Sequence, residues 1–214
     1  MEQKAAVKLL HTLSKIITKK AMIDFGTPED TLIATLLSAR TRDEQVLAVY
    51  PGLRQRFPTL HDLAKATTRQ IAPLIRHVGF FQTKARAIKG LAQMLLEKHN
   101  GIVPRTMEEL VELPGVGRKT ASCVLSYAFH IPAIAVDTHV FRLAHRWQWA
   151  NGKTPEEIEE KLKGLFLEKD WNEINRVCVL FGRTICLPGK PKCWQCPVRA
   201  QCPYEPKTPP PTKR

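Results

Sequence analysis

Apolar residues recur along most of this chain at the three- and four-residue spacing of helices, not with the alternation of strands. Leu32, Ile33, Leu36 and Leu37 form one such run behind Thr27-Pro28-Glu29-Asp30, which offers an N-cap, a first-turn proline and early acids. Ile88, Leu91 and Leu95 form another, on a helix predicted to end near Gly101. Thr106 with Glu109, Thr154 with Pro155 and Glu157, and Asp170 with Glu173 each mark a further capped start. Residues 107 to 130 read as a short helix, the turn Leu113-Pro114-Gly115-Val116-Gly117, and a second helix from Arg118 to about Phe129. A further helix is predicted from Thr138 to Trp147. Pro51, inside Glu44 to Phe57, is expected to break or kink that segment into two short helices or a loop and a helix. Ile131 to Val136 contains a proline and has no strand partner, so it reads as an extended connector. The fold class is therefore all-α, without an internal repeat. The tail Glu205 to Arg214, with four prolines and three basic residues, is expected to be disordered.

The 214 residues suffice for one large domain or two small ones. Hydrophobic residues at 43% and charged residues at 25% exclude wholesale disorder. Charge narrows the function: 33 Lys plus Arg against 20 Asp plus Glu give a formal net charge of +13. Such a field suits a polyanion, nucleic acid ahead of a membrane surface. No apolar run reaches spanning length, and the charged N-terminus does not read as a signal sequence. The expectation is a soluble cytoplasmic protein with no membrane partner.

Cys123 and Cys178 lie alone among apolar neighbours and read as small buried hydrophobes. Cys186, Cys193, Cys196 and Cys202 crowd into 17 residues, which in an intracellular protein argues for metal over disulfides. Four thiolates can hold zinc or a [4Fe-4S] cluster. The proline-rich, weakly apolar segment Leu187 to Pro203 needs such a centre to stay folded. Lys190 and Lys192, between the first two cysteines, form either a solvated loop or a basic contact to DNA backbone.

The turn at Gly115 and Gly117 can be tight, and its amides, with those opening the next helix, can approach a phosphate. It is neither a phosphate-binding loop, because Arg118 separates the glycine from Lys119, nor a dinucleotide fingerprint, because Thr120 stands at the third small position. Lys119 can simply contact phosphate, or serve as a nucleophile if its amine is held neutral. Asp137 precedes a helix and can cap it. His139 reads as a polar packing group.

The run L-P-G-V-G-R-K-T-A resembles the helix-hairpin-helix of base-excision DNA glycosylases, and Val136-Asp137-Thr138-His139-Val140 resembles their catalytic-aspartate loop. With Lys119, Asp137 eighteen residues on, and C-x6-C-x2-C-x5-C, the chain from about Ala21 to Pro203 is similar to the endonuclease III family of bifunctional glycosylases. The resemblance implies two helical domains flanking a cleft, 22–132 with six helices and 1–21 plus 133–214, the latter with a C-terminal four-cysteine cluster loop. It implies a [4Fe-4S] cluster on the four cysteines. Lys119 would attack the sugar C1′ and form a Schiff base, with Asp137 stabilising charge at C1′ and assisting proton transfer. Gly115, Val116, Gly117 and Arg118 would grip the backbone of double-stranded DNA carrying damaged bases or abasic sites, bound by a monomer.

A flipped base leaves a gap that side chains must fill. Leu36 to Asp43 resembles the family's first gap-filling loop, with Arg40 where bacterial members carry Gln, and Val78-Gly79-Phe80-Phe81 resembles the second. Phe80 would be the apolar wedge or, alternatively, a core aromatic; Ser38 and Asp43 would line the base pocket. The adenine-excising relative lacks the hairpin lysine and carries a glutamate near the second helix, and Thr31 to Ser38 contains none. A non-catalytic DNA-binding module is the rival of a different class.

Overall fold

The computed structural model, which describes residues 1–18 and 26–211, places helix α1 at Gln3–Ile16 with Ala6, Leu9, Leu10 and Leu13 buried along one face. The chain divides into two compact units, Met1–Ala21 with Pro132–Arg214, and Met22–Ile131. All regular structure among the described residues is helical. No helix among them is long and apolar enough to cross a membrane.

Unit Met22–Ile131 is built around α2 (Pro28–Ser38), buried from Thr31 to Ser38 on every side. Thr27 caps it as expected, its Oγ1 accepting from Asp30 N at 3.1 Å. α3 (Asp43–Arg56) is tied to the start of α2: Tyr50 Oη donates to Asp30 at 2.6 Å, and Arg54 pairs with Glu29 at 2.8 Å and Asp30 at 3.1 Å. Contrary to expectation, α3 runs unbroken through Pro51. Proline removes only the bond to the carbonyl of Leu47, on the exposed face, while Val46, Val49, Tyr50 and Leu53 anchor the buried face. α4 (Leu60–Lys65) and the single turn α5 (Thr68–Ile71) each open with a capping box, Thr59 with Asp62 and Thr67 with Gln70, too short to carry a periodic signal. α6 (Phe81–His99) packs on α4 and ends at Asn100 and Gly101, both at positive φ. α7 (Met107–Glu112), capped by Thr106, and α8 (Arg118–Ala128) form the hairpin, with α8 packed on α2.

In the other unit, α9 (Thr138–Arg146), α10 (Pro155–Leu165) and α11 (Trp171–Thr184) enclose a core in which Trp147 meets Trp149 at 4.5 Å and Phe181 at 5.7 Å between ring centroids. Cys178 is buried there, as Cys123 is in its own unit. Residues 131–137 are an extended connector, as expected. Side chains replace the missing strand partner: Asn172 Oδ1 accepts from Ala133 N, and Asn175 Oδ1 from Ala135 N, both at 3.0 Å. Asn175 Nδ2 also donates to Ala133 O at 3.2 Å. The expected Asp170 cap does not form. Asp170 ends a 3-10 turn in helical conformation, and its carboxylate accepts from His11 on α1 at 2.8 Å instead. The tail expected to be disordered has defined contacts through Lys207, whose Nζ donates to Cys202 O at 2.8 Å.

Asn175 is 1% exposed and bonds backbone groups of Ala133 and Ala135, both also buried. Asn175→Ala should therefore lower unfolding free energy by about 2–3 kcal/mol in urea titration, more than an exposed hydrogen bond contributes.

Candidate functional site

The hairpin turn is fixed by one glycine. Gly115 has φ +79°, and a Cβ there would lie 2.7 Å from Ala87 Cβ on α6 and 3.1 Å from Leu36 Cδ1 on α2. Gly117 has an ordinary φ of −96° and open space around its Cβ direction, so the expectation that both glycines serve backbone freedom holds only for the first. Val116 buries its side chain and donates its N–H to Leu113 O at 3.0 Å, so it closes the turn and leaves no donor of its own for an anion, contrary to the expectation that it grips the DNA backbone. No side chain caps α8 and no acid sits in its first turn, so its positive end is open to an anion. Arg118 and Lys119 are exposed in the first two helical positions.

On the same unit, Arg40 and Phe80 both adopt left-handed backbone, with φ 52° and 57°. Phe80 is 62% exposed, and the Arg40 guanidinium carbon lies 5.8 Å from its ring centroid. A core-packing role for Phe80 is thereby excluded. Ser38 is buried and donates Oγ–H to Thr35 O at 2.9 Å; Asp43 is buried at the start of α3.

Sequence reasoning passed over Lys84, which is only 7% exposed. Its Nζ donates to Leu37 O, Ala39 O and Thr41 Oγ1 at 2.8, 2.6 and 3.0 Å. Burial pulls its pKa down to about 8. The missed signal was register: Lys84 lies four residues before Ile88 on the stripe of Leu91 and Leu95.

In the other unit Asp137 caps α9, its Oδ1 accepting from His139 N and Val140 N, both at 2.8 Å. His139 Nδ1 lies 3.2 Å from Arg142 Nη2, in keeping with a packing role. Arg142 and Arg146, also unforeseen, extend from this helix to the first cysteine of the C-terminal group. Arg142 donates to Cys186 O at 3.0 Å and Gly182 O at 3.0 Å. Arg146 donates to Cys186 Sγ at 3.2 Å and Leu187 O at 2.7 Å, and stacks on Tyr204 at 4.7 Å. Their signal was two arginines four apart on one helix face.

Cys186, Cys193, Cys196 and Cys202 form no disulfide. Burial pushes Cys196 up to about 11 and raises Cys202; the charges of Cys202, Cys186 and Cys193 add to the first, and those of Cys186 and Cys193 to the second. Among the described residues no three ligating side chains converge on a point suited to a single metal ion. Lys190 is exposed and Lys192 half-buried in the connecting loop.

A family model described as HhH-GPD superfamily base excision DNA repair protein matches residues 33–167, which places the chain in a class of DNA repair proteins. Over 177 residues it is 45% identical to endonuclease III of Thermotoga maritima, covering 83% of each protein. Over 204 residues it is 39% identical to endonuclease III of Synechocystis sp., covering 94% of this chain and 93% of the other. A solved trapped endonuclease III–DNA covalent intermediate, an estranged-adenine complex, matches with a TM-score of 0.90 at 35% identity, covering 95% of this chain and 96% of that one. The chain belongs to the endonuclease III family within this superfamily.

The two hairpin glycines should separate on substitution. Gly115→Ala should cost about 1–3 kcal/mol of stability through the clash and strained φ. Gly117→Ala, at the N-cap of α8 but with an ordinary φ, should cost less, about 0.5 kcal/mol or about 1–2 °C in melting, yet weaken duplex DNA binding in a fluorescence-anisotropy titration by crowding the anion approach.

Proposed function

We propose that this protein works in base excision repair as a DNA glycosylase with AP lyase activity, removing oxidised pyrimidines from duplex DNA and nicking the abasic site by β-elimination. The observation that carries the reading is Lys119, exposed at the second position of a helix whose N-terminus no side chain caps. The hairpin amides and Arg118 hold the phosphate backbone while Lys119 reaches the sugar. Attack requires the amine in its neutral form. The Lys119 nitrogen bonds C1′ as the bond from C1′ to the damaged base breaks, and the base leaves with a proton. Transfer of a proton from that nitrogen to the ring oxygen as the C1′–O4′ bond breaks opens the sugar and gives a Schiff base. Removal of a C2′ proton then breaks the C3′–O bond and nicks the strand on the 3′ side.

Asp137 stabilises the oxocarbenium-like charge at C1′ and shares in these proton transfers; its cap bonds both fall on Oδ1, so it can serve without leaving the helix. Arg40 and Phe80 fill the gap left by the flipped nucleotide, Ser38 and Asp43 line the base pocket, and Lys190 and Lys192 contact DNA backbone. The net charge of +13 supports this partner. The protein acts as a monomer in the cytoplasm, at the nucleoid in a bacterial cell.

Cys186, Cys193, Cys196 and Cys202 hold a [4Fe-4S] cluster in this reading. Four thiolate donors crowded into 17 residues with the spacing C-x6-C-x2-C-x5-C are the soft-donor set that suits such a cluster. Bound there, the cluster supplies folding free energy to a segment with few apolar residues. Purified protein should accordingly be yellow-brown and contain about four irons per chain by metal analysis; stoichiometric zinc without iron after anaerobic purification would remove this assignment.

Lys119→Gln should keep duplex binding within about tenfold while base release and borohydride trapping of a covalent complex both collapse. A phosphate-contact role predicts the reverse, weaker binding with surviving turnover at saturating enzyme. Asp137→Asn retains a capping side chain, so stability should change by only about 0.5 kcal/mol. Excision should nevertheless fall about a hundredfold or more in single-turnover assays. Near-normal excision by Asp137→Asn leaves the carboxylate as a cap alone.

A further inference from the structure

Lys84 is the best-satisfied buried cation of its unit, and the mechanism above gives it nothing to do. Its ammonium has three N–H donors, and each meets an oxygen: Leu37 O, Ala39 O and Thr41 Oγ1. The acceptors belong to the end of α2 and the loop after it. α2 has no basic residue in its last turn, so its negative end takes its cation from another helix. The two residues flanking Arg40, Ala39 and Thr41, are both bonded to Lys84.

The second loop is joined to the same point. Lys84 N donates to Phe80 O at 3.0 Å, the first turn of α6. Gly79 N donates at 3.1 Å to the same Thr41 Oγ1 that accepts from Lys84. A Cβ on Gly79 would lie 3.1 Å from Arg40 O and 3.3 Å from Thr41 Oγ1, so the two loops meet too closely for a side chain at Gly79. Arg40 and Phe80 thus stand on either side of a knot tied by one lysine. Left-handed backbone is unfavourable for both residues, and persists where the surroundings over-determine it.

We propose that Lys84 is a positioning residue that holds Arg40 and Phe80 as one preformed wedge, so that its loss impairs extrusion of a damaged nucleotide far more than chemistry at a site already abasic. The inference rests on the reading of Arg40 and Phe80 as gap-filling residues. With all three protons engaged, the ammonium acts on loop geometry, away from the reacting atoms.

Lys84→Met keeps an unbranched buried stem and removes the donors. In the full chain it should slow single-turnover excision of an oxidised pyrimidine from duplex DNA at least about tenfold, and β-elimination at a preformed abasic site by no more than about threefold. 2-Aminopurine beside the lesion should lose most of the fluorescence rise that accompanies unstacking on binding. Combined with Phe80→Ala, Lys84→Met should add less than about twofold to the loss from Phe80→Ala alone, since both act through one wedge. Equal losses on the two substrates, multiplied losses in the double variant, or wild-type excision by Lys84→Met would overturn the proposal. Phe80→Ala separates the layers: if it spares excision, the gap-filling reading itself fails; if it slows excision and Lys84→Met does not, only the brace fails. Should Lys84→Met not fold, Thr41→Val cuts the link between Lys84 and Gly79 while keeping the side chain's shape. It should show the same selectivity at about threefold, and wild-type rates on both substrates would equally overturn the proposal.

Discussion

Helix α2 is enclosed on every side from Thr31 to Ser38, and the terminal carbonyls of an enclosed helix must find donors within the protein. Lys84 supplies them at its C-terminal end, while Thr27 closes the N-terminal end and Tyr50 and Arg54 bind the acids of the first turn. The same helix helps set the hairpin, because its Leu36, together with Ala87 of α6, fills the space that a Cβ on Gly115 would need. Hairpin turn and wedge loops are therefore referenced to one buried post. A shift of α2 moves the proposed nucleophile's helix and the proposed wedge together, and rigid support of this kind is what a site with sub-ångström demands requires.

Helix α9 does comparable work in the other unit. Its first turn is closed by Asp137, and its outward arginines reach the carbonyls and sulfur of the cysteine segment. Burial lowers the Arg142 pKa, yet the side chain keeps acceptors from Thr138, Gly182 and Cys186 around it. The segment has few apolar side chains, so hydrogen bonds from α9, together with the proposed cluster, take the place of a hydrophobic core. Val198, 1% exposed, is the main apolar anchor between the last cysteines. The carboxylate proposed for catalysis and the support of the proposed cluster thus share one nine-residue helix.

Strain and exposure coincide at the proposed wedge. Phe80 is a large aromatic at 62% exposure on left-handed backbone, and Arg40 shares both features across the loop. Sequences optimised for stability alone avoid this combination, which is common where a protein meets its ligand. The cation–π contact between the two side chains offsets a little of the cost and keeps them together before DNA arrives.

What the sequence determined by itself was local. The caps at Thr27, Thr106 and Thr154, the turn from Leu113 to Gly117, the helix after Asp137 and the all-helical class follow from periodicity and short-range hydrogen bonding. The family was legible too, because the hairpin, the aspartate loop and the cysteine spacing are contiguous strings. What only the tertiary structure decided involves partners far apart in the chain. Pro51 sits within a helix because the opposite face is anchored in the core; Asp170 gives up a cap for His11, 159 residues away; Asn175 stands in for a strand. Lys84 looks like any helix lysine until folding brings the carbonyls of Leu37 and Ala39 to it across 47 and 45 residues. A sequence pattern encodes which face of a helix is buried, but which polar atoms await it on that face depends on how the whole chain packs.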